Sequence, residues 1–328
     1  MRSHHRALAP LLPIAFETLD LSAHDVVISL SASFAKGAIT RADQFHLCYI
    51  CTPTRFLTTH TDEYTQHSGA FRVPGLSYLG KKTLGYLSQW DQVAASRPDS
   101  YLAISNLVAQ RVKHIYKRTS DGVVYPPVTL LTKETVKKEY LASLSRLVSY
   151  KRVDSSILAC KQLGLGLVVA GDGPDRARLE RLADRVSIRH KNQSLESFLA
   201  RYTQADGVTY FTGILTEHEK TWLLNRSKLF LHPGLEDFGI TPLEAASLGV
   251  PSVLHQKSGC SEVLGKDISQ HCKETTPSSV ADAIEKGLQR RWSTHRLQAA
   301  AKTCQKKHFE EEFISNLEKL YQLWQSGQ

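Results

Sequence analysis

Glu236-Asp-Phe-Gly-Ile-Thr-Pro-Leu-Glu-Ala-Ala-Ser-Leu-Gly-Val-Pro251 places two carboxylates, Glu236 and Glu244, eight positions apart around a loop that runs into a helix. The run before it, Lys228-Leu-Phe-Leu-His-Pro233, has the length and apolar character of a buried strand. Thr241-Pro242 suits the N-cap and first position of the next helix. The amides of Gly239, Ile240 and Thr241 then lie at the positive end of a helix dipole, a seat for phosphate. Gly239 allows close backbone approach there. Thr241-x-x-Glu244 also has the spacing of a capping box, in which the glutamate returns to the cap amide and needs no ligand. Glu236 taken alone is equally an ordinary solvated loop acid. Both meanings of the two acids stay open on this segment alone.

A second segment supplies the cations that such a seat needs. Leu144-Ser-Arg-Leu-Val-Ser-Tyr-Lys-Arg-Val-Asp154 begins in a strand, expected over residues 140–147, and passes through a basic loop into a helix from Val153. Arg146 and Lys151 lie five apart across that strand-to-helix turn, so both can face the carboxyl edge of a parallel sheet. A guanidinium and an ammonium there neutralise two phosphates. As isolated cations they are equally a solvated rim.

Together the two segments resemble the donor site of retaining family-four glycosyltransferases of the GT-B fold (glycosyl transferases group 1), and the likeness is ordered along the chain. Arg146, Lys151, Arg152 and Asp154 come first, then Val168-Val-Ala-Gly-Asp-Gly-Pro174, then Gly213, then the segment from Glu236 to Pro251. Tyr49-Ile-Cys-Thr-Pro-Thr-Arg55 and Val124-Tyr-Pro-Pro-Val128 are similar to the mannosyltransferase-like members. The resemblance implies an α/β chain of two Rossmann-like, doubly wound domains with the donor site in the cleft. It implies a nucleotide diphosphate sugar as donor substrate, GDP-mannose being one candidate, with no cofactor and no obligatory metal. By the same resemblance Arg146 and Lys151 meet the donor diphosphate, Glu236 contacts the transferred sugar and Glu244 the nucleotide ribose. The backbone from Asp237 through Phe238, Gly239 and Ile240 to Thr241 contacts sugar and phosphate. Gly171 completes the donor side, and base recognition falls around Gly213 to Leu215. Cys51 belongs to the acceptor side.

Two departures from the family pattern bear on activity. Cys51 stands where the resemblance calls for histidine, and a thiol reproduces neither its hydrogen bonds nor its charge. Thr58-Thr59 occupies the place of an expected aromatic residue. The second departure is at the front: family members carry a strand and a Gly-rich turn before anything like Leu11–Phe16 and Asp25–Leu30. By analogy roughly 80 residues, two or three βα units, are absent, which leaves sheet edges uncovered. A separate chain supplying them is one expectation. Ala7-Leu-Ala-Pro-Leu-Leu-Pro-Ile-Ala-Phe16 follows Arg2 and Arg6, but two prolines interrupt it and acids arrive at Glu17 and Asp20, which argues against a secretion signal.

The expected organisation is a truncated first domain over 1–127, a donor-binding domain over 128–292, and a single long helix within 293–328 that crosses back to the first. Strands are expected at 25–30, 46–50, 100–105, 140–147, 166–170, 208–212, 228–232 and 252–255. Helices are expected at 106–117, 153–163, 175–185, 216–225, 242–248, 258–265 and 277–290. Pro126-Pro127 disfavours both helix and inner strand and marks the linker. Residues 187–206 are expected as a surface insertion with one amphipathic helix, from the spacing Leu195, Phe198, Leu199, Tyr202.

Composition fits this without proving it. The 328 residues are 41% hydrophobic and 22% charged, ordinary for a soluble protein of two domains. A cytoplasmic place is expected, with the six cysteines reduced and the sequons at Asn192 and Asn225 idle. Cys48-x-x-Cys51 lacks a second ligand pair for zinc. The net charge of +9 is spread over several helices and loops. It suits peripheral contact with anionic lipid at the cytosolic membrane face as well as it suits a solvated basic surface. No zinc finger or RNP signature accompanies it, which argues against nucleic acid. The expected function is transfer of a hexose, mannose being one candidate, to a saccharide or lipid-linked acceptor. A non-catalytic or split-partner nucleotide-sugar-binding protein is the alternative from another class, and an epimerase or phosphorylase on this architecture is a third.

Overall fold

The computed structural model describes residues 9–58 and 74–327 of the chain, and Thr59 of the expected aromatic position lies outside them. The chain divides into two compact units, Met1–Tyr125 with Glu310–Gln328, and Pro126–Phe309.

The first unit opens with helix α1 (Leu12–Glu17) and carries a parallel sheet of β1 (Val26–Ser31), β2 (Phe45–Ile50), β3 (Ser100–Ala103) and β4 (Gly122–Val123), in that spatial order. Between the strands lie α2 (Arg55–Thr58), α3 (Pro74–Ala94) and α4 (Asn106–Tyr116). Helix α3 has no counterpart among the expected elements. Its buried Leu87, Trp90, Asp91 and Ala94 fall at the i, i+3, i+4, i+7 spacing of one helical stripe. Three glycines, at 75, 80 and 85, weaken its propensity and hide that stripe from a reading of residue types. Strand β2 is buried on both faces, as a parallel strand between helix layers must be.

A buried polar network ties this unit together. Lys36 Nζ sits 2.5 Å from Asp91 Oδ1, and both side chains are almost wholly buried. Thr54 Oγ1 donates to the same carboxylate at 2.6 Å and the Tyr116 hydroxyl at 2.8 Å. The Thr54 amide donates in turn to the Tyr116 hydroxyl at 3.1 Å. Each of these groups has a polar partner, which is the condition for a buried charge pair to be tolerated. Thr54 closes the loop that carries Cys51, so this network fixes the loop's backbone.

The second unit is a seven-stranded, wholly parallel sheet. Its strands are β5 (Tyr140–Leu144), β6 (Leu167–Ala170), β7 (Val186–Ile188), β8 (Thr209–Gly213), β9 (Ser227–His232), β10 (Ser252–His255) and β11 (Gln270–Cys272), in the spatial order β11-β10-β9-β5-β6-β8-β7. The chain interleaves them with α5 (Val153–Gln162), α6 (Arg176–Leu182), α7 (Leu195–Leu199), α8 (Glu217–Asn225), α9 (Ile240–Ser247), α10 (Cys260–Val263) and α11 (Pro277–Gln289). Two helices follow, α12 (Thr294–Lys302) and α13 (Lys306–Ser326).

Side chains alternate along each strand into one of two cores. Leu167 and Val169 of β6 join Ile157, Leu179 and Ile284 on one side of the sheet. Val168 and Ala170 join Phe198, Leu223, Leu224 and Ala245 on the other. Burial on both faces is why these strands read as continuous apolar runs. The strand order reverses beside β5, with β6 on one flank and β9 on the other. Ligands of open α/β sheets bind outside the carboxyl ends of the strands at such a point.

Four expectations are corrected here. The strand at 140–147 ends at Leu144. Residues 187–206 hold the expected amphipathic helix, α7, but are no surface insertion: Val186–Ile188 forms the edge strand β7, and Leu195, Phe198 and Leu199 are buried in the core. Strands β4 and β11, two and three residues long, have no counterpart in the expectation. The final helix is two, because the chain turns at Thr303–Gln305, where the Cys304 carbonyl accepts the Val128 amide at 2.7 Å and Gln305 bridges Val128. A backbone carbonyl given to a neighbouring segment is lost to a continuous helix.

Candidate functional site

The carboxyl ends of β5, β6, β8 and β9 surround a cavity of about 600 Å3. Arg146 and Tyr150 to Lys151 reach it from the β5-to-α5 loop, Gly171 and Asp172 from the end of β6, Ile214 and Leu215 from beyond β8. Glu217 and Lys220 come from α8, His232 from the last position of β9, and Gly239, Ile240, Thr241 and Glu244 from the start of α9. Eight residues singled out in the sequence therefore share one cavity: Arg146, Lys151, Gly171, Leu215, Gly239, Ile240, Thr241 and Glu244.

The helix begins two residues earlier than expected, and this changes the meaning of Glu244. Gly239 is the N-cap with φ +98°, α9 starts at Ile240, and no side chain caps it. Thr241 and Pro242 are thus inside the first turn, and the capping box does not form. Only glycine adopts that positive φ at little cost. Released from capping, the Glu244 carboxylate accepts from Lys220 Nζ at 2.8 Å. Lys220 also holds Glu217 at 2.7 Å. Burial lowers the affinity of the Lys220 amine for its proton, but the hydrogen bonds to Glu217 and Glu244 outweigh it and raise the pKa. Lys220 therefore stays charged beside Glu244. Nothing in the sequence marks this lysine except its place one turn after Thr216, on the helix that follows a sheet strand.

Lys151 and Glu236, expected to contact separate parts of one ligand, form an ion pair with each other. Lys151 Nζ lies 2.5 Å from Glu236 Oε1, with side chains 18% and 6% exposed. Arg146 is exposed and enters no ion pair among the described residues. The Glu236 loop is pinned from behind. Its amide donates to Ser258 Oγ at 3.0 Å, the same hydroxyl donates to the Gly234 carbonyl, and the amides of Gly259 and Cys260 donate to the carbonyls of Glu236 and Phe238. Glu236, Asp237 and Phe238 are buried and stand outside the cavity wall, Glu236 directly behind Lys151. Gly213 is also outside it, but its carbonyl accepts the Gly171 amide at 2.8 Å and so sets the turn after β6. Gly171 has φ +120°, and a Cβ there would meet the Ser145 carbonyl oxygen at 1.9 Å. No other residue fits that crossing.

In the sequence His232 is an ordinary strand residue. Its ring is 5% exposed and lies in the cavity wall. Burial lowers its pKa to about 4 despite the nearby Glu236 carboxylate, so the ring is neutral at physiological pH.

Cys51 belongs to the first unit and is half-buried. All six cysteines are free thiols, and burial pushes that of Cys48 up to about 12, far from a reactive thiolate. Asn225 is buried, holding the Glu134 amide and the Thr132 carbonyl. Among the described residues no helix is long and apolar enough to cross a membrane.

In chemical terms the cavity offers cations and first-turn amides for anions, and the Glu244 carboxylate, with Glu236 behind Lys151, for hydroxyl groups. The comparisons with known proteins agree with that inventory. Residues 190–303 match the family described as glycosyl transferases group 1. Over 151 residues the chain is 32% identical to a GDP-mannose-dependent alpha-(1-6)-phosphatidylinositol dimannoside mannosyltransferase of Mycobacterium tuberculosis, covering 44% of this chain. The matched stretch spans 34% of that protein, about a third of its length. Among solved structures, the lipopolysaccharide outer core galactosyltransferase WaaB is similar with a TM-score of 0.61 and 14% identity, over 96% of this chain and 81% of that one. A glycosyltransferase from Rickettsia africae is similar with a TM-score of 0.60 and 13% identity, over 98% of this chain and 83% of that one. The chain thus has the GT-B fold and carries, at residues 190–303, the glycosyl transferases group 1 domain.

Proposed function

We propose that the chain is a retaining glycosyltransferase that takes a hexose from a nucleotide diphosphate sugar and passes it to a saccharide or lipid-linked acceptor. The observation that carries this reading is the grouping, in one cavity at the sheet's reversal point, of Arg146, Lys151, the first-turn amides of α9, Glu236 behind Lys151, and Glu244 held by Lys220. Arg146, Lys151 and the α9 amides receive the diphosphate; as it leaves, charge builds on its oxygens, and fixed cations and amides lower the barrier to that build-up. Glu236 accepts from the transferred sugar and Glu244 from the ribose. The mycobacterial relative's use of GDP-mannose makes mannose the first donor to try, and no metal is assigned a part. A cytoplasmic place, with peripheral contact to anionic lipid through the basic surface, accompanies the reading.

Cys51 favours one second reading, in which the donor is bound but not transferred, because a thiol cannot supply the hydrogen bonds of the histidine expected there. The two are separated by incubating the purified chain with GDP-mannose, UDP-glucose and UDP-galactose, and following both release of the nucleotide and the anomeric configuration of any product. Turnover with retention that disappears in Glu236→Gln supports transfer. Donor binding without turnover, unchanged in Cys51→His, contradicts transfer and leaves the binding reading in place.

A further inference from the structure

Two polar atoms in the cavity wall, Ser145 Oγ and His232 Nε2, find no use among the described residues. His232 Nε2 is fully buried and has no hydrogen-bond partner among the described residues. A buried imidazole nitrogen left without a partner costs free energy, and native structures seldom leave one without a reason. The Glu236 carboxylate is its neighbour, with Oε1 at 3.7 Å, too far for a direct hydrogen bond. Gly239 puts no side chain over it: a Cβ there would lie 3.6 Å from Nε2 and 3.2 Å from Cys260 Sγ. The ring itself is fixed by stacking on Phe230, with the two ring planes 17° apart.

We propose that His232 binds a hydroxyl of the donor's sugar, with Nε2 and Glu236 Oε1 forming a two-point site for that one group. This rests on the donor reading above. A separation of 3.7 Å lets one oxygen sit within hydrogen-bond distance of both atoms. A hydroxyl donates to the carboxylate and accepts from Nε2–H, or donates to Nε2 and turns its lone pairs elsewhere, so it serves either tautomer of the neutral ring. A phosphate oxygen has no proton to give and meets a carboxylate at the same place, which assigns this point to sugar rather than diphosphate. Lys151 pairs with this same oxygen, Glu236 Oε1, at 2.5 Å and neutralises its charge, and a carboxylate oxygen has two lone pairs to offer. His232 is therefore a specificity-determining residue for the hexose, while Arg146 and the α9 amides serve the diphosphate.

The test compares sugar-bearing and sugar-free ligands on the full chain by calorimetric titration with GDP-mannose, UDP-glucose, GDP and UDP. His232→Phe keeps the stacking on Phe230 and removes the ring nitrogens; His232→Gln returns an amide near the position of Nε2. The expected result is that His232→Phe binds the free nucleotides within about twofold of the parent chain but loses about tenfold in affinity for the nucleotide sugar, the effect of one hydrogen bond. His232→Gln is expected to recover most of that loss. Equal affinity of parent and His232→Phe for the nucleotide sugar overturns the inference and leaves the donor reading intact. An equal loss for nucleotide and nucleotide sugar, or a His232→Gln variant as weak as His232→Phe, also overturns it, since the ring would then serve the nucleotide or the fold. If the parent chain binds none of the four ligands, the donor reading falls and this inference with it. Should His232→Phe fail to fold, His232→Leu, which also removes the ring nitrogens, is measured in its place with the same expected and overturning results.

Discussion

Replacing Lys151 by methionine, Glu236 by glutamine, and both together tests whether the two residues act as one unit. At 2.5 Å and an effective dielectric constant of about 20, the gross attraction between the charges is about 7 kcal/mol, most of it offset by desolvation of the two groups. Taking away one partner exposes that hidden cost. Glu236 is only 6% exposed, so Lys151→Met leaves a carboxylate buried beside a neutral thioether and is expected to destabilise the second unit by about 3 kcal/mol. Glu236→Gln strands a more exposed ammonium and is expected to cost about 1 to 2 kcal/mol. The double variant is expected to cost less than the two added together, with a coupling of about 2 kcal/mol, because no unpaired charge remains. Urea unfolding followed by tryptophan fluorescence, with Trp222 and Trp292 reporting on this unit, measures all four species. The same variants carry a binding consequence: Glu236→Gln releases Lys151 from its carboxylate and is expected to tighten binding of a free nucleoside diphosphate several-fold while abolishing transfer. A Lys151→Met cost below about 1 kcal/mol, with strictly additive effects in the double variant, refutes the coupling.

Gly171→Ala forces a Cβ to within 1.9 Å of the Ser145 carbonyl oxygen at φ +120°, and is expected to destabilise by about 3 kcal/mol or more, a fall in midpoint on the order of 10 °C by thermal unfolding. Lys220→Met is expected to weaken nucleotide binding by about 1 to 2 kcal/mol, roughly 5- to 30-fold, because Glu244 loses the ammonium that orients it. Glu217→Gln, at a side chain 85% exposed, is expected to change nucleotide affinity less than about threefold. The rings of His46 and His232 are each held neutral by burial, with pKa values lowered to about 4. The unfolded chain takes up those protons first, so the stability tied to each neutral ring is complete above about pH 6.5 and is lost as the pH falls towards 4, by up to about 3 kcal/mol per ring. Denaturant titrations at about pH 7.5, 5.5 and 4.5 check this, and His46→Asn and His232→Gln should each flatten part of the slope.

How much of this was legible in the sequence depends on whether a feature is local. The strand before Pro233, the helix after it, and the strand-to-helix turn holding Arg146 and Lys151 each carry their signal in neighbouring residues, and those elements are present within a few positions of expectation. The helix start is harder to place because two rules compete at Gly239 and Thr241. Threonine is a good N-cap, but glycine can take φ +98° and begin the helix two positions earlier by backbone alone. The partners of the two acids were not legible: Lys220 and Glu244 are 24 positions apart, and Lys151 and Glu236 are 85 apart, so their pairing exists only once the sheet is assembled. Strands β7 and β11, three residues each, are too short to show a period. The break between α12 and α13 has no glycine or proline to announce it; Val128 imposes it from a distant part of the chain. The unpartnered nitrogen of His232 is likewise a property of the packed site, since a histidine ending a buried strand looks like any satisfied core residue.

The central claim is that the second unit seats a nucleotide diphosphate on Arg146, Lys151 and the start of α9. The most direct measurement is the dissociation constant of the full chain for GDP and GDP-mannose, compared with that of an Arg146→Met, Lys151→Met double variant that remains folded by circular dichroism. The account predicts saturable binding by the parent chain and a loss on the order of 100-fold in the double variant, the effect of two charge-assisted contacts. Binding by the double variant as tight as by the parent would contradict it.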